Sequence, residues 1–224
     1  LNAVPEFGAL LSEVRNCRLC KTDLLLAPRP VLQCSPSARI LIAGQAPGRR
    51  VHDSGIPFDD ASGDRLRAWM GIDRERFYDA DRIAILPMGF CYPGSAGSGD
   101  LPPRPECATT WRAALLAHLR RVELTLVIGR YAQDYHLAGA GGVTARVSAW
   151  RDGLPGVIPL PHPSPRNNRW LKRNPWFESE LLPELRARIS LILEDQASMT
   201  ADYRGHHCPP GGRKSRAAVV KRVE

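Results

Sequence analysis

The chain has 224 residues, 43% of them hydrophobic, which is enough to bury a real core and points to one domain with a tail rather than several domains. It holds 31 Lys and Arg against 23 Asp and Glu, a net charge of +8 with a pI near 9.5. That balance favours a polyanionic partner without identifying it, and no stretch approaches the roughly 20 apolar residues of a membrane span. A soluble, cytoplasmic monomer is the expectation.

Taken in order, Phe7, Leu10, Leu11 and Val14 repeat at helical spacing and lead into Cys17-Arg18-Leu19-Cys20. Arg39–Gly44 is a short apolar run enriched in Ile and stopped by Gly, the pattern of a buried strand. It opens into Gly44-Gln45-Ala46-Pro47-Gly48, where two glycines and a proline let backbone approach a ligand closely. Arg49 through Phe58 comes next, and Asp59-Asp60 leads to a helix over Asp64–Met70. A second strand, Arg82–Leu86, ends at Pro87-Met88-Gly89-Phe90-Cys91, followed by a Gly/Ser/Pro-rich loop from Tyr92 to Pro105. Helical spacing returns at Cys107–Leu119; Leu124–Gly129 is a third strand, Arg130–Leu137 a short helix, Val157–Leu160 a fourth strand and Phe177–Leu193 the closing helix.

Strands alternating with helices predict a single α/β domain over 1–195, built on a central parallel four-stranded sheet with helices on both faces. Residues 196–224, polar and basic with a Pro-Pro-Gly-Gly run, are expected to be a disordered tail. In such a sheet ligands gather at the carboxyl ends of strands. Gly44–Gly48, Pro87–Cys91 and His162 each stand just past such an end, so the three are expected to converge. His162-Pro163-Ser164-Pro165-Arg166-Asn167-Asn168 adds one titratable ring between prolines and then donors suited to phosphates and bases. His118 and His136 fall on predicted helices and read as surface or cap residues, and Trp69 and Trp111 as core.

The pairing of Gly44-Gln45-Ala46-Pro47-Gly48 and Gly55-Ile56-Pro57-Phe58 with His162-Pro163-Ser164-Pro165 resembles the uracil-DNA glycosylase superfamily. The upstream half is similar to the iron–sulfur-containing family-4 enzymes, and His-Pro-Ser-Pro-Arg-Asn to the single-strand-selective glycosylases. The resemblance implies excision of uracil from DNA by base flipping and hydrolysis, with DNA as the partner. His162 would donate to the uracil O2 as charge develops there, and Phe58 would stack on the base. Gly44, Gln45, Ala46, Gly48 and Met88 would face the base, and Arg49, Arg50, Ser164, Arg166, Asn167 and Asn168 would meet the DNA. Lys172, Arg173 and Trp176 would lie nearby as further phosphate and stacking contacts.

Two departures stand out. Family-4 enzymes carry an acid in the segment aligned with Arg49-Arg50-Val51, and this chain does not; His52, Asp53 and Asp59 are then the candidates to position water, with Asp59 and His52 favoured. Asp59-Asp60 also fits the lead-in or cap of the helix that follows. Where the superfamily has an Asn at the second strand end, the aligned residue is Pro87, so uracil would be read by the backbone of Pro87–Gly89 or by another side chain. Cys17, Cys20, Cys91 and Cys107 match the order of the family-4 ligands to a [4Fe–4S] cluster; zinc suits the same spacing, and unligated thiols are the third possibility. Two other functions remain open: a damage-binding module that has lost catalysis, and a glycosylase for another base such as hypoxanthine or a mismatched thymine.

Overall fold

The structure, a computed structural model, describes residues 6–97, 99–139 and 141–204, and side chains as far as residue 194. Helix α1 (Phe7–Arg15) is capped by the Glu6 carboxylate, which accepts from the Ala9 N–H at 3.1 Å. A long connection then reaches β1 (Ile40–Ala43), α2 (Arg49–Ser54), α3 (Ala61–Met70), α4 (Arg74–Tyr78) and β2 (Ile83–Ile85). The Gly/Ser-rich stretch folds a small antiparallel hairpin, β3 (Ser95–Ala96) and β4 (Gly99–Asp100). One helical run follows: α5 (Pro105–Cys107), a π-helical turn (Ala108–Arg112) and α6 (Ala113–His118). After it come β5 (Leu124–Ile128), α7 (Gly129–His136), α8 (Val143–Ser148), β6 (Val157–Leu160), α9 (Asn168–Arg173), a π turn (Phe177–Leu181) and α10 (Leu182–Arg204).

The sheet runs β2-β1-β5-β6 with every pair parallel, as the alternation of strands and helices predicts. Alternate side chains of each strand enter different cores. Ile40, Ile42, Ile83, Ile85, Leu126 and Leu160 meet Trp69, Phe177 and Leu185 on one face. On the other, Leu41, Ala84 and Leu86 meet Leu10, Val14 and Leu115 of α1 and α6. Both faces are therefore covered, which is why the strands read as continuous apolar runs. Pro159 sits within a strand because β6 is an edge; opposite Val127 it forfeits no donor that a further strand would need.

Several expectations shift. Arg49–Phe58, to which the sequence pattern assigns no element, begins with α2, and that helix ends at Gly55 in the left-handed conformation. The closing helix continues to Arg204, past the expected domain boundary, while the remainder of the basic tail, 205–224, lies outside the described residues. Trp69 is core at 5% exposure, and Trp150 also proves buried, in a 3-10 turn beneath β6. No helix among the described residues is long and apolar enough to cross a membrane.

Candidate active site

The carboxyl ends of β1, β2 and β6 converge. Gly44, Gln45, Ala46, Pro47 and Gly48 line a cavity together with Phe58, Asp60, Pro87 and His162. Gln45, Ala46, Gly48, Asp60 and His162 also line an adjoining cleft of about 410 Å³, whose far side carries Asp100, Ser164, Arg166 and Asn167.

His162 is held from several directions. The Ser164 N–H donates to its Nδ1 at 3.2 Å, and Asn167 Nδ2 donates to its carbonyl at 2.7 Å. Gln133, fully buried on α7, donates to Leu160 O at 2.9 Å and so fixes the strand end from which the histidine emerges. Gly129, with φ of +76°, turns the chain sharply out of β5; a Cβ there would stand 3.8 Å from the His162 Cβ. Burial lowers the pKa of the ring below the usual histidine range, against the opposing fields of Asp60 and Asp100. A neutral imidazole whose Nδ1 accepts a hydrogen bond carries its proton on Nε2. It is thus a donor, placed at a cavity it lines.

Phe58 forms the apolar wall. It has φ of 55°, the only non-glycine with positive φ among the described residues, a conformation that costs about 1–3 kcal/mol and persists only where surroundings impose it. Gly63 leaves room for it: a Cβ there would lie 1.7 Å from the Phe58 carbonyl oxygen. The ring crosses Gly44, with its Cζ 3.4 Å from where a Cβ would be, and meets Phe77 edge-on at 6.2 Å.

The two adjacent aspartates part company. Asp59 turns away to Arg74, 2.9 Å from its guanidinium, and lines neither space. Asp60 lines both; its Oδ1 caps α3 by accepting from Gly63 N–H at 2.9 Å, and its Oδ2 lies 4.0 Å from where a Gly48 Cβ would stand. Asp100 Oδ2 lies 3.6 Å from that same point, so two carboxylates flank Gly48. His52 lines neither space: it tilts against Tyr92 at 6.1 Å, and its carbonyl accepts from Arg29 at 2.7 Å. Asp60 was legible as a cap; nothing in the sequence separated it from its neighbour as a site residue. Asp100 was hidden in the Gly/Ser-rich loop.

The end of β2 offers little to a ligand. Met88 is buried against Ala43, Val127 and Ala132, and Pro87 takes the place on the cavity wall. The Met88 N–H donates to Gly44 O at 2.9 Å and the Gly89 N–H to Gln45 O at 2.9 Å. Reading of a base by these N–H groups, part of one of the two sequence expectations, would first have to break those bonds.

At the outer rim Arg50, Arg166 and Asn168 are exposed. Arg49 is engaged with Asp53 at 3.0 Å, and Asn167 is committed to the His162 carbonyl. Arg65 Nη1 donates to Ser164 O at 3.1 Å, tying the His162–Asn168 loop to α3. Lys172 and Arg173 are exposed on α9, while Trp176 packs edge-on against Trp170 at 6.0 Å and Phe177 at 6.4 Å.

Cys34 and Cys107 belong to the core on the α1 and α6 face of the sheet. Cys17, Cys20, Cys34, Cys91 and Cys107 are free thiols. Burial raises the pKa of Cys91 to about 12 and also raises that of Cys107, with Cys17 and Cys20 adding to both, so these four share one neighbourhood. The Phe90 N–H donates to the Cys107 sulfur at 3.5 Å, the kind of outer bond that steadies a metal-bound thiolate. Four thiols of this kind suit a thiolate-bound group in chemistry. As they stand, no set of three or more His, Cys, Asp or Glu among the described residues is arranged to hold a metal ion.

Over residues 32–186 the chain matches the family model of the Uracil DNA glycosylase superfamily.

Proposed function

Since the chain belongs to the Uracil DNA glycosylase superfamily, whose members imply DNA glycosylase-type repair and binding of DNA, we propose that it excises uracil flipped out of DNA. The carrying observation is the tautomer of His162. With Nδ1 accepting from Ser164, the ring offers Nε2–H to whatever enters the cavity.

Cleavage breaks the bond between the sugar C1′ and the base N1, and the electron pair leaves on the base, spread over N1 and O2. His162 donates a hydrogen bond to that oxygen as charge grows, a contribution of order 10²–10³ in rate for one well-aimed donor. Phe58 holds the ring by its face. The positive charge developing on the sugar faces the carboxylate of Asp60, which also orients water. The water oxygen bonds to C1′, its proton passes to the carboxylate, and the free base takes a proton from solvent after release. Asp60 is preferred to Asp59 because it lines both spaces while Asp59 is tied to Arg74.

Arg50, Arg166 and Asn168 carry the DNA backbone, with Lys172 and Arg173 near at hand. Cys17, Cys20, Cys91 and Cys107, drawn closer than they stand, would hold a [4Fe–4S] cluster, which would tie the chain after α1 to the ends of β2 and α5 and take no part in bond cleavage.

Release of free uracil from a labelled single-stranded oligonucleotide tests the reading. Wild-type turnover with loss of about 10²–10³-fold in His162→Ala supports it; tight binding without release would make the chain a damage-binding module instead. One observation favours a second base. With the Met88 and Gly89 N–H groups already bonded, discrimination at β2 is weak, so hypoxanthine and mismatched thymine belong in the same assay.

A further inference from the structure

Directly behind Pro87 lies Arg112, whose side chain is fully buried. It emerges from the π turn of Ala108–Arg112, an irregularity that recurs at functional positions in helices. Its Nη1 donates to Leu86 O at 3.0 Å and to Pro87 O at 3.1 Å. Its Nη2 meets His136 Nε2 at 2.6 Å, and the guanidinium faces the Tyr135 ring 5.1 Å from its centroid. His136 is neutral, held near 4 by burial and by the arginine itself. Burial draws the arginine down only to about 10, so it stays charged at neutral pH. No carboxylate among the described residues pairs with it. A buried guanidinium without a counter-ion is costly, and a sequence tolerates that cost where the charge serves something.

Resting on the uracil-excision reading, we propose that Arg112 is a positioning residue that sets the end of β2 and places its uncompensated positive charge behind the cavity wall, where it stabilises a base leaving as an anion. The two accepting carbonyls fix Pro87, which lines the cavity, and a fully buried charge one residue behind that wall is weakly screened. This supplies at β2, through the wall, help that an amide side chain reaching into the cavity would give by contact. A neutral proline is then sufficient on the inner surface.

The test compares Arg112→Gln and Arg112→Lys with wild type in single-turnover release of uracil and of 5-fluorouracil from otherwise identical oligonucleotides. 5-Fluorouracil leaves as a more stable anion and needs less help. Arg112→Gln is expected to lose about 10–100-fold on uracil, by the usual scale of one buried charge acting on a developing one, and distinctly less on 5-fluorouracil; Arg112→Lys recovers most of the loss. The ratio of the two rates within one variant does not depend on how much of the preparation is folded. Equal losses on both bases, or none on either, overturn the proposal, because damage to packing alone moves both rates together. A wild-type chain that releases neither base overturns the uracil-excision reading and this proposal with it, whereas failure of Arg112 alone leaves that reading intact.

Discussion

The Ser164 N–H points at His162 Nδ1 across 3.2 Å, and this single contact decides which face of the imidazole is the donor. A cationic ring would carry protons on both nitrogens and set two donors against each other there. Local geometry and burial therefore push the same way, toward a neutral ring.

The pH profile of single-turnover cleavage should reflect this. The pKa of His162 is lowered in the fold, so the ring remains neutral as pH falls through the ordinary histidine value of about 6.5. The rate should stay level there and fall only at lower pH, when protonation breaks the Ser164 contact. Nitrogen-15 shifts of the imidazole, read alongside the rate, check the tautomer; a rate that rises as the ring protonates would rule it out.

Asp59 and Asp60 separate in a pair of substitutions. Asp60→Asn keeps a capping side chain for Gly63 N–H but removes the charge beside Gly48. Its cleavage rate should drop about 10²-fold with melting nearly unchanged, a loss in the range of a missing acid–base or charge-stabilising group. Asp59→Asn should leave the rate within about threefold, since an exposed ion pair such as that with Arg74 contributes little. Single-turnover rates and thermal melts of the two proteins distinguish the carboxylates; an inverted ranking would return the role to Asp59.

The overall architecture was legible because each strand is a short apolar run that stops at Gly or Pro, as at Ala43–Gly44 and Ile85–Pro87. The convergence of Gly44–Gly48 with His162 followed from the rule that parallel strands present their ligands at one end. What sequence could not reveal is direction. Asp59 and Asp60 are chemically equal neighbours, and only the φ of 55° at Phe58 and the α3 cap decide which carboxylate faces inward. Met88 and Pro87 exchange places for the same reason: the residue that reaches the cavity depends on where β2 releases its last hydrogen bond. His136 read as a surface or cap residue on its helix; its partner, Arg112, is 24 positions away on another helical run, at the end of a π turn.

Gly63→Ala tests the imposed geometry at Phe58. The added Cβ would meet Phe58 O at 1.7 Å, and backbone cannot yield by that much without moving the loop. A destabilisation of about 2–4 kcal/mol is expected, at the severe end of overpacking, with cleavage lost more than stability because Phe58 swings off the cavity. Urea midpoints and base-release rates measure the two effects; a fully stable, fully active Gly63→Ala would refute the close approach.

The cysteine proposal is checked by composition before activity. Wild-type protein purified without oxygen should be brown and contain about four iron atoms per chain, and Cys17→Ser should lose both. Colourless protein with one zinc would assign the same thiols to a tetrahedral ion, and metal-free protein would leave them as buried thiols. Uracil release by a folded Cys17→Ser variant should persist, because none of the four sulfurs lines the cavity or the cleft.

The His136–Arg112 contact makes stability depend on pH with a definite sign. The folded pKa of His136 is about 4, below the ordinary value of about 6.5 in an unfolded chain. Between those values the unfolded chain binds the extra proton, so stability falls as pH is lowered through that window. Above about 6.5 the contribution is fully present; near 4 it is gone. The size is at most about 3 kcal/mol, from the shift converted at 1.36 kcal/mol per unit. Comparing urea midpoints of wild type and His136→Gln from pH 7 to pH 4 isolates it. The glutamine can still accept from Arg112 through its carbonyl and cannot titrate, so its curve should be the flatter one. Parallel curves would mean that the ring is protonated in the fold, and that Arg112 has lost the neutral neighbour on which its lone charge depends.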